Sequence, residues 1–445
     1  MKVYQSYRDS KLEWIGEIPK QWESIRLKYI GLLFGGLSGK SGKDFNNDEN
    51  ESNKPFIPFT NICNNTYISK DDLGKVNILD NDKQNKVERY DLFFLMSSED
   101  FEGIGNTSVL RDELGEVYLN TFCRGFRITD REFSSFFVNY LFKGHSYSEL
   151  LSIEGRGFTR INLRSHKIND FKIFYPPHQE QKQIVTFLDS KSQKIDKLIE
   201  LNEQKIELLK VQRTALINQC VTKGLNPNVE MKDSGVEWIG EIPKHWSVGK
   251  LGYYSGVSRG SGYQFLTEVD EEYTDLKEKV VRISDFSEFH PIWCKYNERF
   301  KNYKIGEDNI LVGGTGHYFG RSIFVDDRHV NLIHSYNILR LVIHNQFPKY
   351  IFYYLNTSII REQMDISVLG SGQPFIDIDG LKSLILILPA QVEQVQIVEY
   401  LDEQTQKIDS TIGIESQRIE RLKEYRQALI SEVVTGKIDV RDWDG

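Results

Sequence analysis

Four features of this 445-residue chain could carry chemistry: a glycine-flanked Lys-Ser pair, nine histidines, four cysteines and a cationic run. The string "FGGLSGKS" (Phe34–Ser41) resembles a phosphate-cradling loop, which needs a glycine six residues before its lysine; Phe34 stands there. The corresponding string in the second half, "YSGVSRGS", keeps Gly256 and Ser258 but has no Lys-Ser pair, so turn-forming glycines between strands account for both. Cys63, Cys123, Cys220 and Cys294 stand singly, without a CxxC pair or a histidine at ligand spacing, which indicates buried thiols. His317, His329, His334 and His344 do not pair with carboxylates at helical ligand spacing, and HExxH, GxSxG and a glycine-rich adenosine loop are all missing. The expectation is a chain that recognises or assembles, with no catalytic residues and no metal ligands of its own.

Binding chemistry is better represented. Each half carries a strand, a polar glycine-rich loop and another strand: "DLFFLMSSEDFEGIGNTSVL" in the first, "DNILVGGTGHYFGRSIFV" in the second. Loops held on strands commonly carry binding residues. Ser97, Ser98, Asn106 and Thr107, and in the second half Thr315, His317, Tyr318 and Arg321, supply hydroxyl, amide and guanidinium groups that can read base edges or hold phosphates. Thr60, Asn61, Arg124, Ser284 and Asn337, beside other candidate strands, extend the set. The run "RGFTRINLRSHK" concentrates Arg156, Arg160, Arg164, Lys167 and His166, either a solvated face or a local anion-binding patch.

Bulk properties constrain the partners. The net charge is -8, whereas a general nucleic-acid binder is normally basic, so contact with DNA must be local or assisted. At 39% apolar and 27% charged residues the composition is globular, and the length suits two or three domains. The start "MKVYQSYRDSKLEW" lacks a signal-peptide core, and the longest aliphatic run, Leu384 to Leu388, cannot span a bilayer. The expected location is the cytoplasm, away from membranes.

The elements that must position these residues are duplicated. "DSKLEWIGEIPKQW" (Asp9–Trp22) returns as "DSGVEWIGEIPKHW" (Asp233–Trp246), with eleven of fourteen positions identical. Pro176–Thr222 aligns without a gap on Pro389–Thr435, with twenty-four of forty-seven identical. Each half is thus a lead-in phrase, a variable body and a shared tail. The tail runs from Gln179 to Thr222 without Gly or Pro and predicts a helix of ~66 Å at ~1.5 Å per residue. Ile184, Ile195, Ile206 and Ile217 recur every eleven residues, as do Ile397, Ile408, Ile419 and Ile430. Eleven residues make about three turns, so each set forms one stripe, and two such stripes suit antiparallel packing on each other as a rigid spacer. Runs such as "PFIPF", "GFRIT", "YNILRLVI" and "LILILP" read as strands, while "SSFFVNYLF" and "PKYIFYYLN" read as matching helices. The expected fold is mixed α/β (α+β), with an internal pseudo-twofold. Its expected parts are a first recognition domain over 1–177, a helix over 178–223, a second domain over 224–390 and a second helix over 391–437.

The paired "EWIGEIPKxW" phrases, the helix starts "PPHQEQKQIVTFLD" and "PAQVEQVQIVEYLD", and the "ALI...VT" helix ends resemble the specificity subunit of type I restriction-modification enzymes. The resemblance covers essentially the whole chain. It implies two target recognition domains that read the two halves of a split, asymmetric double-stranded DNA sequence; two domains reading one face of B-DNA should sit about one helical turn (~34 Å) apart. It also implies helices that dock two modification subunits, which would bind S-adenosylmethionine, flip an adenine and methylate N6. Restriction subunits would use ATP and Mg, and this chain would bind no cofactor. Three alternatives stay open: a free-standing DNA-binding regulator, a scaffold for protein assembly alone, or an enzyme with an unrecognised site.

Overall fold

The computed structural model describes residues 2–45, 53–79, 81–99, 103–157, 160–367 and 374–443. Residues 100–102 of the first polar loop and 158–159 of the cationic run lie outside them. The chain divides into two compact units, Met1–Asn202 with Gln417–Gly445, and Glu203–Ser416. Both dividing lines fall inside a long helix, so a partition at the helix ends cuts the molecule differently.

Each unit is built around a four-stranded antiparallel sheet. In unit 1 the order is Gly31–Gly35, Cys123–Ile128, Leu92–Leu95, Thr107–Val109. In unit 2 it is Ser255–Arg259, Ile338–Ile343, Ile310–Gly313, Ser322–Phe324. The registers correspond: Arg124 faces Gly35 and Phe94, and Leu339 faces Arg259 and Val312. Apolar strands such as "LFFL" and "ILVG" are buried along their whole length because helices cover one face and a second small sheet the other. That second sheet joins Asn53–Ile57 in parallel to Tyr118–Leu119 in unit 1, and Lys277–Val281 in parallel to Ile333–His334 in unit 2.

The glycines of the phosphate-loop look-alike have a packing role. A Cβ on Gly36 would stand 2.0 Å from the Asn120 carbonyl oxygen, and one on Gly260 would stand 2.2 Å from that of Ser335. Both positions bring backbone against backbone at a strand end, which only glycine allows. Gly36 and Gly260 are thus close-approach positions, whereas Gly39, at φ +68° with open space around it, holds the turn that the sequence suggested.

The shared segments form a frame around each body. The strand after the lead-in phrase, Glu23–Arg26, pairs antiparallel with Lys172–Tyr175 just before the first long helix; Ser247–Lys250 pairs in the same way with Ile385–Leu388. Each body is an excursion between two paired strands, so its sequence can vary without disturbing the closure. The long helices are His178–Lys223 and Gln391–Val434. In unit 1 the first half of one meets the last turns of the other: Ile184, Leu188 and Ile195 share a core with Leu429, Ile430, Val433 and Val434, and Asp196 pairs with Arg426. In unit 2 Ile217 and Val221 share a core with Ile397, Val398 and Leu401, and Arg213 pairs with Asp409 at 3.0 Å. The halves run antiparallel in each unit. Seven of the eight stripe isoleucines are buried, and Ile206 is half-buried. Among the described residues no helix is long and apolar enough to cross a membrane.

The lead-in phrase clasps these helices. Trp22 is buried, and its indole Nε1 donates to Glu180 Oε1 at 2.9 Å in the first turn of one helix. The same ring packs over Gly436, just past the end of the other helix, where φ is +73° and a Cβ would collide with Pro19. Unit 2 repeats the arrangement: Trp246 Nε1 donates to Glu393 Oε2 at 3.0 Å and packs over Gly224, φ +74°. The neighbouring glutamines are also committed. Gln181 accepts from the Ser134 amide and Gln394 from the Phe347 amide, each at 2.9 Å, fixing the start of a body helix. Glu180 additionally accepts the hydroxyl of buried Tyr4 at 2.7 Å. Glu180→Ala should therefore strand two buried donors and destabilise unit 1 by about 3 kcal/mol. Glu393→Ala should cost about half as much, because only one of its two partners, Trp246, is buried, while His245 is exposed. Urea unfolding checks both; equal losses would contradict the assignment.

Candidate nucleic-acid interface

In unit 1 an open cleft of about 340 Å³ lies beside the central sheet, lined by Met96, Ser97, Thr121, Phe122, Arg124, Arg160, Asn162, Leu163 and Ser165. Its wall is stitched together by the two-residue strands Ser97–Ser98 and Ile161–Asn162, and by the Met96 amide donating to the Phe122 carbonyl. Phe122 is held in a turn by its amide's bond to Asn120 Oδ1 at 2.9 Å, and it presents its ring outward. The Arg160 guanidinium stacks over that ring, 4.4 Å from its centre, with the exposed Glu99 carboxylate 3.9 Å away. Arg124 spends one N–H on the Cys123 carbonyl and meets no carboxylate among the described residues. Two cations and an aromatic platform thus converge with hydroxyl and amide groups on an open surface. Such a set suits a base edge or a phosphate, with the ring positioned to stack.

The sheet registers locate the corresponding region of unit 2. There Arg259, which stands where unit 1 has Gly35, lies between the rings of Tyr336 and Phe375, 5.0 and 4.9 Å from their centres. It donates to the Ile376 carbonyl at 3.3 Å. Asn337 donates to the Tyr263 hydroxyl at 2.7 Å, and Thr315 bridges to Phe375. Nearby, Tyr318 shares a 2.8 Å hydrogen bond with Ser287, His317 packs edge-on to it, and Arg321 lies over its ring. The two regions share an arginine-on-aromatic theme while differing in almost every residue.

Ser97, Arg124 and Arg160 lie together in the first cleft, and Thr315, His317, Tyr318, Arg321 and Asn337 lie at the second surface. Thr60 and Ser284 occupy matching exposed positions, and Ser98 and Asn106 are half-buried. Arg156 is exposed but donates to the Ile153 and Gly155 carbonyls. Two candidates belong to the interior. Asn61 is buried and holds the backbone of Ser69 and Asp72; Thr107 is buried in the sheet, its hydroxyl toward the Asn139 carbonyl. Polar type alone could not tell which side of a strand or helix each faced. Sequence reasoning missed Phe122, Arg259, Tyr263, Tyr336 and Phe375. Arg259 had a signal, since it is the one charged substitution when "LLFGG" (32–36) is laid on "GVSRG" (256–260). Among the described residues no cluster of His, Cys, Asp and Glu is arranged to hold a metal.

Two homologous units with a common frame and dissimilar arginine-aromatic surfaces define a duplicated recognition chain. The profile of the type I restriction modification DNA specificity domain matches residues 19–211 and 243–424, and the chain belongs to that family. Its relatives include the putative type I restriction enzyme MjaX specificity subunit of Methanocaldococcus jannaschii, 24% identical over 99% of both chains. The MjaIX specificity subunit of that organism is 26% identical over 96% of both, and the EcoKI specificity subunit of Escherichia coli is 22% identical over 95% of this chain and 90% of that one. Among solved structures, one from work on complex assembly and conformational transition of the type I R-M system matches with a TM-score of 0.72 at 15% identity, covering 95% of this chain and 99% of that one. The HsdS subunit from Thermoanaerobacter tengcongensis matches at 0.52 and 15%, covering 95% and 98%. At these identities the structural likeness speaks for the fold.

Proposed function

We propose that this chain is the DNA-reading subunit of a type I restriction-modification complex, each unit recognising one half of a split, asymmetric target. It acts with the other subunits of that system and with DNA, and carries no catalytic residues itself. The observation that carries this reading is the contrast between frame and cleft. The clasp and helix residues agree between units, whereas the arginine-on-aromatic contacts of Arg160 with Phe122 and of Arg259 with Tyr336 and Phe375 are made by different residues from different positions. A repeated frame with unlike surfaces suits two different half-sites. The finer assignments follow from the same reading: two modification subunits bind the chain, hold S-adenosylmethionine and methylate adenine N6, and restriction subunits use ATP and Mg. Partner contacts with phosphates would offset the net charge of -8.

The test is a genome-wide map of N6-methyladenine with the gene intact and deleted. Loss of one bipartite motif, methylated on both strands, is the expected result. An unchanged map, with the modification subunit expressed and active, would leave assembly scaffolding as the better reading.

A further inference from the structure

The two copies of the lead-in phrase sort their identical residues into two groups. One group explains itself: Ile18 and Ile242, Trp22 and Trp246 are buried, and Gly16 and Gly240 hold left-handed turns at φ +68° and +66°. The other group is identical and exposed. Trp14 and Trp238 are 48% and 46% exposed, and Glu13, Glu17, Glu237 and Glu241 are exposed with them, as are Asp9 and Asp233 on the same strands and Lys20 and Lys244 past the far end of the hairpins. The two tryptophans occupy the same place, the tip of a hairpin whose strands are Tyr7–Asp9 with Glu17–Pro19 and Met231–Asp233 with Glu241–Pro243. Both tips are closed by the same bonds, Ser10 N to Gly16 O at 2.9 Å and Ser234 N to Gly240 O at 3.0 Å. Among the described residues neither indole makes a hydrogen bond or ring contact, and none of the four glutamates forms an ion pair.

Half-site recognition cannot account for this sameness. Surfaces that read different DNA sequences must differ, as the two arginine-aromatic surfaces do, whereas an exposed surface that is the same in both units serves a ligand that is the same at both. Four carboxylates around two indoles also repel a phosphate backbone. The complementary surface is a protein pocket, apolar at its centre with Lys or Arg at its rim, and it must be present in two copies. We infer that the Trp14 and Trp238 hairpin tips are equivalent docking anchors, each seated in one copy of the modification subunit. This inference rests on the proposed function, which supplies that subunit as the repeated partner.

The test co-expresses the full chain with its modification subunit and weighs the assemblies by native mass spectrometry, using Trp14→Ala, Trp238→Ala, the double variant, and the charge reversal Glu13→Lys with Glu17→Lys. A buried tryptophan at an interface centre commonly accounts for a thirtyfold or larger change in affinity, so each single variant should lose one copy at concentrations where the wild type holds two, and the double variant both. The charge reversal, at exposed positions, should weaken only the copy at unit 1, and thermal melting of each chain alone should match wild type. Double-variant assemblies of wild-type stoichiometry would overturn the inference, as would loss at one hairpin only. Normal assembly with impaired DNA binding would also overturn it, giving the tips to DNA. A wild-type chain that bound no modification subunit would instead overturn the proposed function itself.

Discussion

Duplicating Ile199–Asn202 in the first long helix, together with the matching Ile412–Glu415 in the second, is expected to lengthen the gap between methylated half-sites by one or two base pairs. Both half-site sequences should stay unchanged, and the original site should go unmethylated. The duplicated residues lie beside the points where one unit gives way to the other, inside helices that run without a break. Four residues add ~6 Å of rise and ~400° of rotation, one full turn plus ~40°. One base pair adds ~3.4 Å and about a tenth of a turn, so the inserted rotation is matched by one base pair and the inserted length by two. Copying both helices together keeps one helix in register with the other on both sides of the insertion. Methylome sequencing of cells carrying the variant reads the outcome, and continued methylation at the original gap would show that the helices do not set it.

Replacing Arg124 or Arg160 by alanine should relax recognition at a G·C pair in one half-site only. An arginine that reads guanine O6 and N7 together contributes about 1–3 kcal/mol of discrimination, roughly five- to 150-fold between matched and mismatched pairs. Arg160 is pre-oriented by its stack on Phe122, and Arg124 has most of its donors unspent, so both can meet a base edge at little ordering cost. Arg259→Ala should relax the other half-site and leave the first intact. Binding of the assembled complex to a panel of single-base substitutions, at several salt concentrations, separates this from phosphate contact. Uniform weakening across the panel, with the salt slope reduced by about one, would mean that the arginines hold the backbone instead.

Sequence and structure agree where periodicity or repetition fixes the geometry. The eleven-residue isoleucine spacing leaves only one helical face to bury, and the structure buries it, with Ile206 the least covered. Short apolar runs such as "LFFL" and "ILVG" are strands because nothing in them has helical period and glycine or turn residues bound them. Repetition marked the lead-in phrase as important, yet it could not show that Trp22 reaches Glu180, 158 residues away, because such a contact depends on which strands pair. The binding surfaces were harder still. A serine or arginine in a loop has no period to betray its direction, so Asn61 and Thr107 were grouped with surface residues although both lie inside. Phe122 and Tyr336, which the sequence did not single out, stand exposed beside the arginines they carry.

The division of the chain has a consequence for its synthesis. Residues Glu203–Ser416 of unit 2 are contiguous, whereas the core of unit 1 includes Leu429, Ile430, Val433, Val434, Ile438 and Val440 from the far end. Unit 1 must wait, with Trp22 and Ile184 short of partners, until residues 417–440 have emerged, while unit 2 can close as soon as its own contiguous stretch is out. A nonsense codon just after Ser416 would therefore strike unit 1 and spare unit 2.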